Sequence, residues 1–161
     1  MRAARSRGFT YLGVLFLMSL LALTAAMASA VWSTVQRREN ERELVFVGQQ
    51  FQAAIERYRQ RSTEPGAPYP PRLEDLVRDT RAVKVQRHLR QLYPDPMTGN
   101  TQWGLIRLPD GGIVGVHSSS EREPLRRSFA GAQAGLSKAA SYRDWRFVAP
   151  SAIALLVPPA Q

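Results

Sequence analysis

The chain has 161 residues, enough for one domain with an appendage, and its 44% hydrophobic and 22% charged residues exclude a mainly disordered, collagenous or multi-span protein. The net charge is +9, and 20 of the 22 basic residues are Arg. No Cys is present, which excludes a disulfide scaffold, a Cys-ligated zinc site and a thiol nucleophile. His88 and His117 stand in no ligand-spaced pattern, so neither a metal nor any other cofactor is expected.

The N-terminal third is the most informative. Arg2, Arg5 and Arg7 precede a run from Phe9 to Gln36 that carries no charge. Its first 24 residues, 9–32, would make a helix about 36 Å long at ~1.5 Å per residue, enough to cross a bilayer core. Three arginines precede the run and no acid stands before Glu39, which predicts a single-pass protein whose N-terminus stays in the cytoplasm. Three kinds of segment share this pattern: a secretory signal peptide cut after Ala28-Ser29-Ala30, an uncleaved anchor, and a leader cut before the apolar run. The residues Arg7-Gly8-Phe9-Thr10 favour the third, because a short basic leader ends in Gly and an unbroken apolar stretch follows.

The helical pattern does not stop where a signal peptide would break. No Pro falls between Phe9 and Glu64, and the only glycines there are Gly13 and Gly48. Leu44, Val47, Phe51, Ala54/Ile55 and Tyr58 form one apolar stripe, opposite Arg38, Glu39, Arg42, Glu56 and Arg59. Arg38–Glu41 and Glu39–Arg42 are candidate i,i+3 ion pairs. One long helix over about 9–61 is predicted.

Beyond it, residues 62–71 hold four prolines and read as a loop. Pro71 opens a short helix with Leu73, Leu76 and Val77 on its buried side. Residues 81–92 read as another helix, with Val85, Leu89 and Leu92 on one face. Residues 93–100 are a turn cluster. Strands are expected at 102–107 and 113–117, joined through the hairpin signal Pro109-Asp110-Gly111-Gly112, and at 142–148, with Trp145 and Phe147 on one face. The fold class is α+β: a long N-terminal helix packed on a small antiparallel sheet. The expected organisation is a leader over 1–8, an apolar helical half over 9–32, a globular domain over 33–148 and an apolar tail over 149–161.

The Gly8-Phe9 junction and the apolar run behind it resemble the type II secretion pseudopilin and type IV pilin family. The resemblance continues through Tyr69-Pro70, Leu73 and Leu76, and through Tyr93-Pro94-Asp95-Pro96 with Gly99, which is similar to the family's turn before its first strand. It implies cleavage between Gly8 and Phe9 by prepilin peptidase, N-methylation of Phe9, and a structural rather than enzymatic role in a periplasmic filament. The implied partners are that peptidase, other pseudopilins or pilins, an inner-membrane assembly platform with its ATPase, and membrane lipid. The implied location is the inner membrane, with the C-terminal domain in the periplasm. Assembly would involve Phe9 and Gly13, the latter standing at the fifth mature position, where the family usually has Glu. Major pseudopilins carry an Asp- and Gly-rich calcium loop; the corresponding stretch here, His117 to Glu123, is a poor ligand set, so no metal site is expected. The lack of Cys favours the secretion branch over pilins with a C-terminal disulfide.

Other motifs read as structural. His117 beside Ser118, Ser119 and Ser120 is a polar strand end, since neighbouring strand residues face opposite ways. Asp95 is a turn former, and Gly111-Gly112 is a hairpin rather than a phosphate cradle. Arg78, Arg81, Lys84, Arg87 and Arg90 form a candidate anion-binding face. Nucleic acid is not an expected partner, because clustered stacking aromatics are missing. The alternative functions are a minor type IV pilin that binds DNA for uptake and a membrane-anchored envelope binding domain that does not polymerise.

Overall fold

The computed structural model describes residues 7–62, 68–81, 84–129 and 131–156, with the side chains of 7–10, 25–31 and 131–134 not described. The leader residues 1–6, the loop centre 63–67 and the tail end 157–161 lie outside the described residues. The elements are α1 (Arg7–Gln60), α2 (Glu74–Val77), β1 (Gly104–Arg107), β2 (Ile113–His117), β3 (Phe147–Val148) and α3 (Pro150–Leu156), with 3₁₀ segments at Gly131–Lys138 and Tyr142–Asp144. The chain divides into two compact units, Met1–Arg37 and Arg38–Gln161. The class is α+β, as its sequence predicts. Among the described residues no helix is long and apolar enough to cross a membrane. Within the apolar run, side chains are described for 11–24 and for Trp32.

In the second unit, α1 buries the predicted stripe of Leu44, Val47, Phe51, Ala54, Ile55 and Tyr58. Facing it is a three-stranded antiparallel sheet in the order β1-β2-β3. β2 is the central strand, and Ile113, Val114 and Val116 are fully buried. Its register against β1 slips by one residue between Ile106 and Arg107, a bulge that increases local twist. Gly111, with φ +88°, makes the hairpin turn that only a residue without Cβ adopts freely. Aromatic edges close the core: Phe51 meets Trp103 at 5.2 Å, and Trp145 sits between Phe129 (5.1 Å) and Tyr142 (5.3 Å).

Four elements differ from the sequence reading. Among the described residues of 81–92 there is no helix; Asp79 and Gln86 pair through a two-way backbone bridge, and the Leu76 carbonyl accepts from the amides of His88 and Leu89. The short helix begins at Glu74, not at Pro71. β1 begins at Gly104 rather than 102. The third strand shrinks to Phe147–Val148, because Ser141 and Asp144 form a capping box that winds Tyr142–Asp144 into a 3₁₀ turn. Trp145 and Phe147 are nonetheless both buried. The apolar tail is docked as far as it is described: Ala149 donates its amide to the Val114 carbonyl, and Ala152 is fully buried.

Candidate functional site

The first unit presents a helix that is apolar on every side. Tyr11, Leu12, Val14, Leu15, Phe16, Leu17, Met18, Leu20, Leu21 and Leu23 are all exposed, Phe16 by 73%. A helix that is hydrophobic all round belongs in an apolar surrounding, and exposed apolar surface of this extent marks an interaction site. Two hydroxyls of this segment are turned back onto the helix: Ser19 Oγ donates to the Leu15 carbonyl and Thr24 Oγ1 to that of Leu21, both at 2.9 Å. Such bonds satisfy a hydroxyl without water. Gly8 and Phe9 lie in the first turn of α1, and their side-chain surroundings are outside the described residues. Gly13 is helical, and a Cβ built there meets nothing within 4 Å. The five-residue spacing from Phe9 to Gly13 therefore holds on a regular helix with room for a side chain.

In the second unit three carboxylates do long-range work that periodicity does not reveal. Glu41 is 3% exposed. Its Oε1 accepts from Tyr142 Oη (2.8 Å), the Leu125 amide (2.6 Å) and the Arg126 amide (3.2 Å). It turns inward rather than pairing with Arg38 as predicted, while Glu39 and Arg42 do pair. Asp95, fully buried, caps its own turn by accepting from the Met97 amide and binds the end of β2 through Ser118 Oγ (2.7 Å) and the Ser119 amide (3.1 Å). The loop after β2 is thus held at both ends by buried carboxylates. Glu56 accepts from Ser151 Oγ at 2.6 Å and so fastens α3 to α1. Burial raises its pKa, but hydrogen bonds from Ser151 and Arg59 outweigh that and leave it lowered.

Of the candidate anion-binding residues, one is drawn into contacts within the chain and four stay at the surface. Arg81 turns inward: it donates to Asp79 Oδ2 (2.9 Å), Ser62 Oγ (2.9 Å) and the Tyr58 carbonyl (3.2 Å), and its guanidinium lies 3.5 Å from the Tyr58 ring centroid. Arg78, Lys84, Arg87 and Arg90 stay exposed. Asp79 also binds His88 Nε2 at 3.0 Å. A carboxylate only accepts, so this bond places a proton on Nε2; Nδ1 is buried with no partner among the described residues. The Arg81 bond, joined by His88 and opposed by burial, holds the Asp79 carboxyl well below the usual range.

His117 and the serines that follow it do not form a nucleophile–base pair. His117 Nδ1 bonds the Ser118 carbonyl, not its hydroxyl, which is committed to Asp95. Among the described residues no group of three His, Asp or Glu stands close enough to hold a metal ion. Sequence reasoning missed Glu41, although a signal existed: Glu41 continues the buried series 44, 48, 51, 55, 58 one turn earlier, an acid on an apolar stripe. Asp79 and His88 carried no comparable signal.

No family model, no curated protein and no solved structure matches this chain.

Proposed function

We propose that this chain is a non-enzymatic, pseudopilin-like structural subunit of a type II secretion filament or a related one, anchored in the inner membrane by residues 9–32. The observation that carries this reading is the largely apolar, exposed α1 surface from Tyr11 to Leu23, directly behind the Arg7-Gly8-Phe9 junction. A helix of that kind needs lipid or other helices around it. The continuation of α1 as an amphipathic helix, with its stripe on a small antiparallel sheet, supports the same reading.

Prepilin peptidase cuts between Gly8 and Phe9 and methylates the new amine. The processed chain waits in the membrane as a monomer. On assembly the apolar segments leave lipid and pack on one another. That exchange has little hydrophobic driving force and depends on close contact. Ala22, Ala25, Ala26, Ala28, Ser29 and Ala30 supply the small side chains for it. Motor and platform proteins supply the work.

Because the chain has no Cys, single cysteines introduced at Leu17 or Leu21 report neighbours cleanly. Oxidation of membranes in which a second pilin-like subunit carries a matching single cysteine in its own apolar helix is expected to join the two thiols in a disulfide, and the yield is expected to fall when the prepilin peptidase is deleted. A chain recovered with soluble proteins, giving no cross-link, contradicts the proposal.

A further inference from the structure

At the start of the second unit lies a half-open cleft of about 480 Å³ lined by Arg38, Glu41, Arg42, Leu125 and Arg126. Three guanidinium groups thus face one carboxylate. That carboxylate is already used: Glu41 Oε1 accepts three hydrogen bonds from the chain itself. Arg126 is held in place, its Nε on the Ser128 carbonyl at 3.1 Å and its guanidinium 4.3 Å from the Phe129 ring centroid. This leaves its terminal amino groups for a ligand. Arg42 shares one terminal nitrogen with Glu39, a pair in which both side chains are more than half exposed and so contribute little. The cleft therefore carries an excess of planar, permanently charged donors converging from two chain segments. Such a set suits a tetrahedral oxyanion, whose oxygens accept from several directions, better than a single planar carboxylate.

We infer that the cleft walled by Arg38, Arg42 and Arg126 binds a phosphate group, and that an anionic lipid headgroup supplies it; the lipid source rests on the membrane-anchored reading above. Arg38 lies six positions beyond Trp32, the last residue of the 9–32 segment. Even fully extended, those six steps span roughly 21 Å, so anchoring keeps the cleft within reach of the headgroups. Anionic headgroups attract juxtamembrane Arg side chains by about 1 kcal/mol each near the surface. Arg78, Lys84, Arg87 and Arg90, the exposed cations of the other basic segment, are not part of this cleft.

The test uses the full chain, purified in a neutral detergent and melted at fixed ionic strength while Trp fluorescence is followed. Three additions are compared: phosphatidylglycerol, phosphatidylcholine and inorganic phosphate. Phosphatidylglycerol is expected to raise Tm by several degrees, because a ligand of the folded state stabilises it, and phosphatidylcholine is not. The Arg38→Gln/Arg42→Gln variant, changed at exposed helical positions, is expected to lose the response, whereas Arg87→Gln/Arg90→Gln keeps it. An undiminished rise in the first variant, or equal rises with both lipids, overturns the site. A rise with inorganic phosphate and none with phosphatidylglycerol overturns the lipid source. Fractionation of the producing cells separates the two levels. A chain found in membranes but without a phosphatidylglycerol response contradicts the cleft alone; a chain found in the soluble fraction contradicts the anchored reading beneath it.

Discussion

Tyr142 and Glu41, 101 residues apart, are joined by a 2.8 Å hydrogen bond inside the core, and the same carboxylate oxygen takes the amides of Leu125 and Arg126. One buried acid on α1 thereby holds both the loop after β2 and the 3₁₀ turn before β3. Glu41→Leu removes the shared acceptor of three hydrogen bonds, one from the buried Tyr142 hydroxyl and two from the half-buried amides of Leu125 and Arg126. Each such loss costs about 1–3 kcal/mol, so the variant is expected to lose at least ~3 kcal/mol in urea denaturation. Tyr142→Phe removes one bond and is expected to lose about 1–2 kcal/mol. A double-mutant cycle between them should show coupling; strict additivity contradicts the shared site.

Gly48 carries the close approach of α1 to the sheet. A Cβ there would lie 2.4 Å from the Phe147 ring. Alanine favours a helix over glycine by about 1 kcal/mol, yet Gly48→Ala is expected to destabilise the domain by roughly 1–3 kcal/mol through overpacking. Adding Phe147→Leu is expected to recover part of that loss. A thermal melt in which Gly48→Ala is more stable than the parent contradicts this contact.

The helix stripe, β2 and the hairpin were legible in the sequence because each rests on a local signal. A 3.6-residue period marks Leu44 to Tyr58, β-branched residues mark Ile113 to Val116, and the Gly111 turn needs its positive φ. Residues 81–92 were misread because Val85, Leu89 and Leu92 fit a helical period by spacing alone. In the fold Asp79 recruits Arg81 and His88, and that bridge competes successfully with local helix formation. Val85 is left 49% exposed. Contacts such as Glu41 with Tyr142 or Glu56 with Ser151 link residues about a hundred positions apart, and no periodic pattern encodes them. The proposed processing junction, by contrast, is a matter of sequence: it rests on Gly8-Phe9 and the run behind it.

Asp79 and Glu56 give the stability an acid limb. Both carboxyls titrate lower in the folded chain than when exposed. A depressed folded-state value stabilises above the unfolded value, near pH 4, and that stabilisation is lost as pH falls below it. Tm is therefore expected to be nearly flat from pH 7 to about 5 and to drop steeply below about pH 4. Asp79→Asn, which keeps the shape and removes the titration, is expected to be less stable at pH 7 by on the order of 2 kcal/mol and to show a shallower drop in acid. An unchanged acid slope in Asp79→Asn contradicts this assignment.

Gly13 bears on the kind of subunit this is. On the pseudopilin-like reading proposed above, Gly13 stands where pilin-like proteins usually carry a Glu that pairs with the amine of a neighbouring subunit, and Gly13 offers no charge. The chain is expected not to build long filaments alone, and to act as a minority component that caps, initiates or joins one. Overexpressed with the motor and processing enzyme, it should leave no long surface filaments under the electron microscope. Gly13→Glu, whose Cβ has open space, is expected to raise incorporation. Long filaments of the unaltered chain alone contradict the expectation, and so does a Gly13→Glu variant with no gain.

The central claim, that this is a processed, membrane-anchored filament subunit, is tested most directly by the intact mass of the chain extracted from membranes. The predicted result is a chain beginning at Phe9 and carrying one added methyl group, with Arg2, Arg5 and Arg7 lost and the formal charge reduced from +9 to +6. A chain beginning at Val31, or one recovered at full length with Met1 in place beside an active prepilin peptidase, contradicts it.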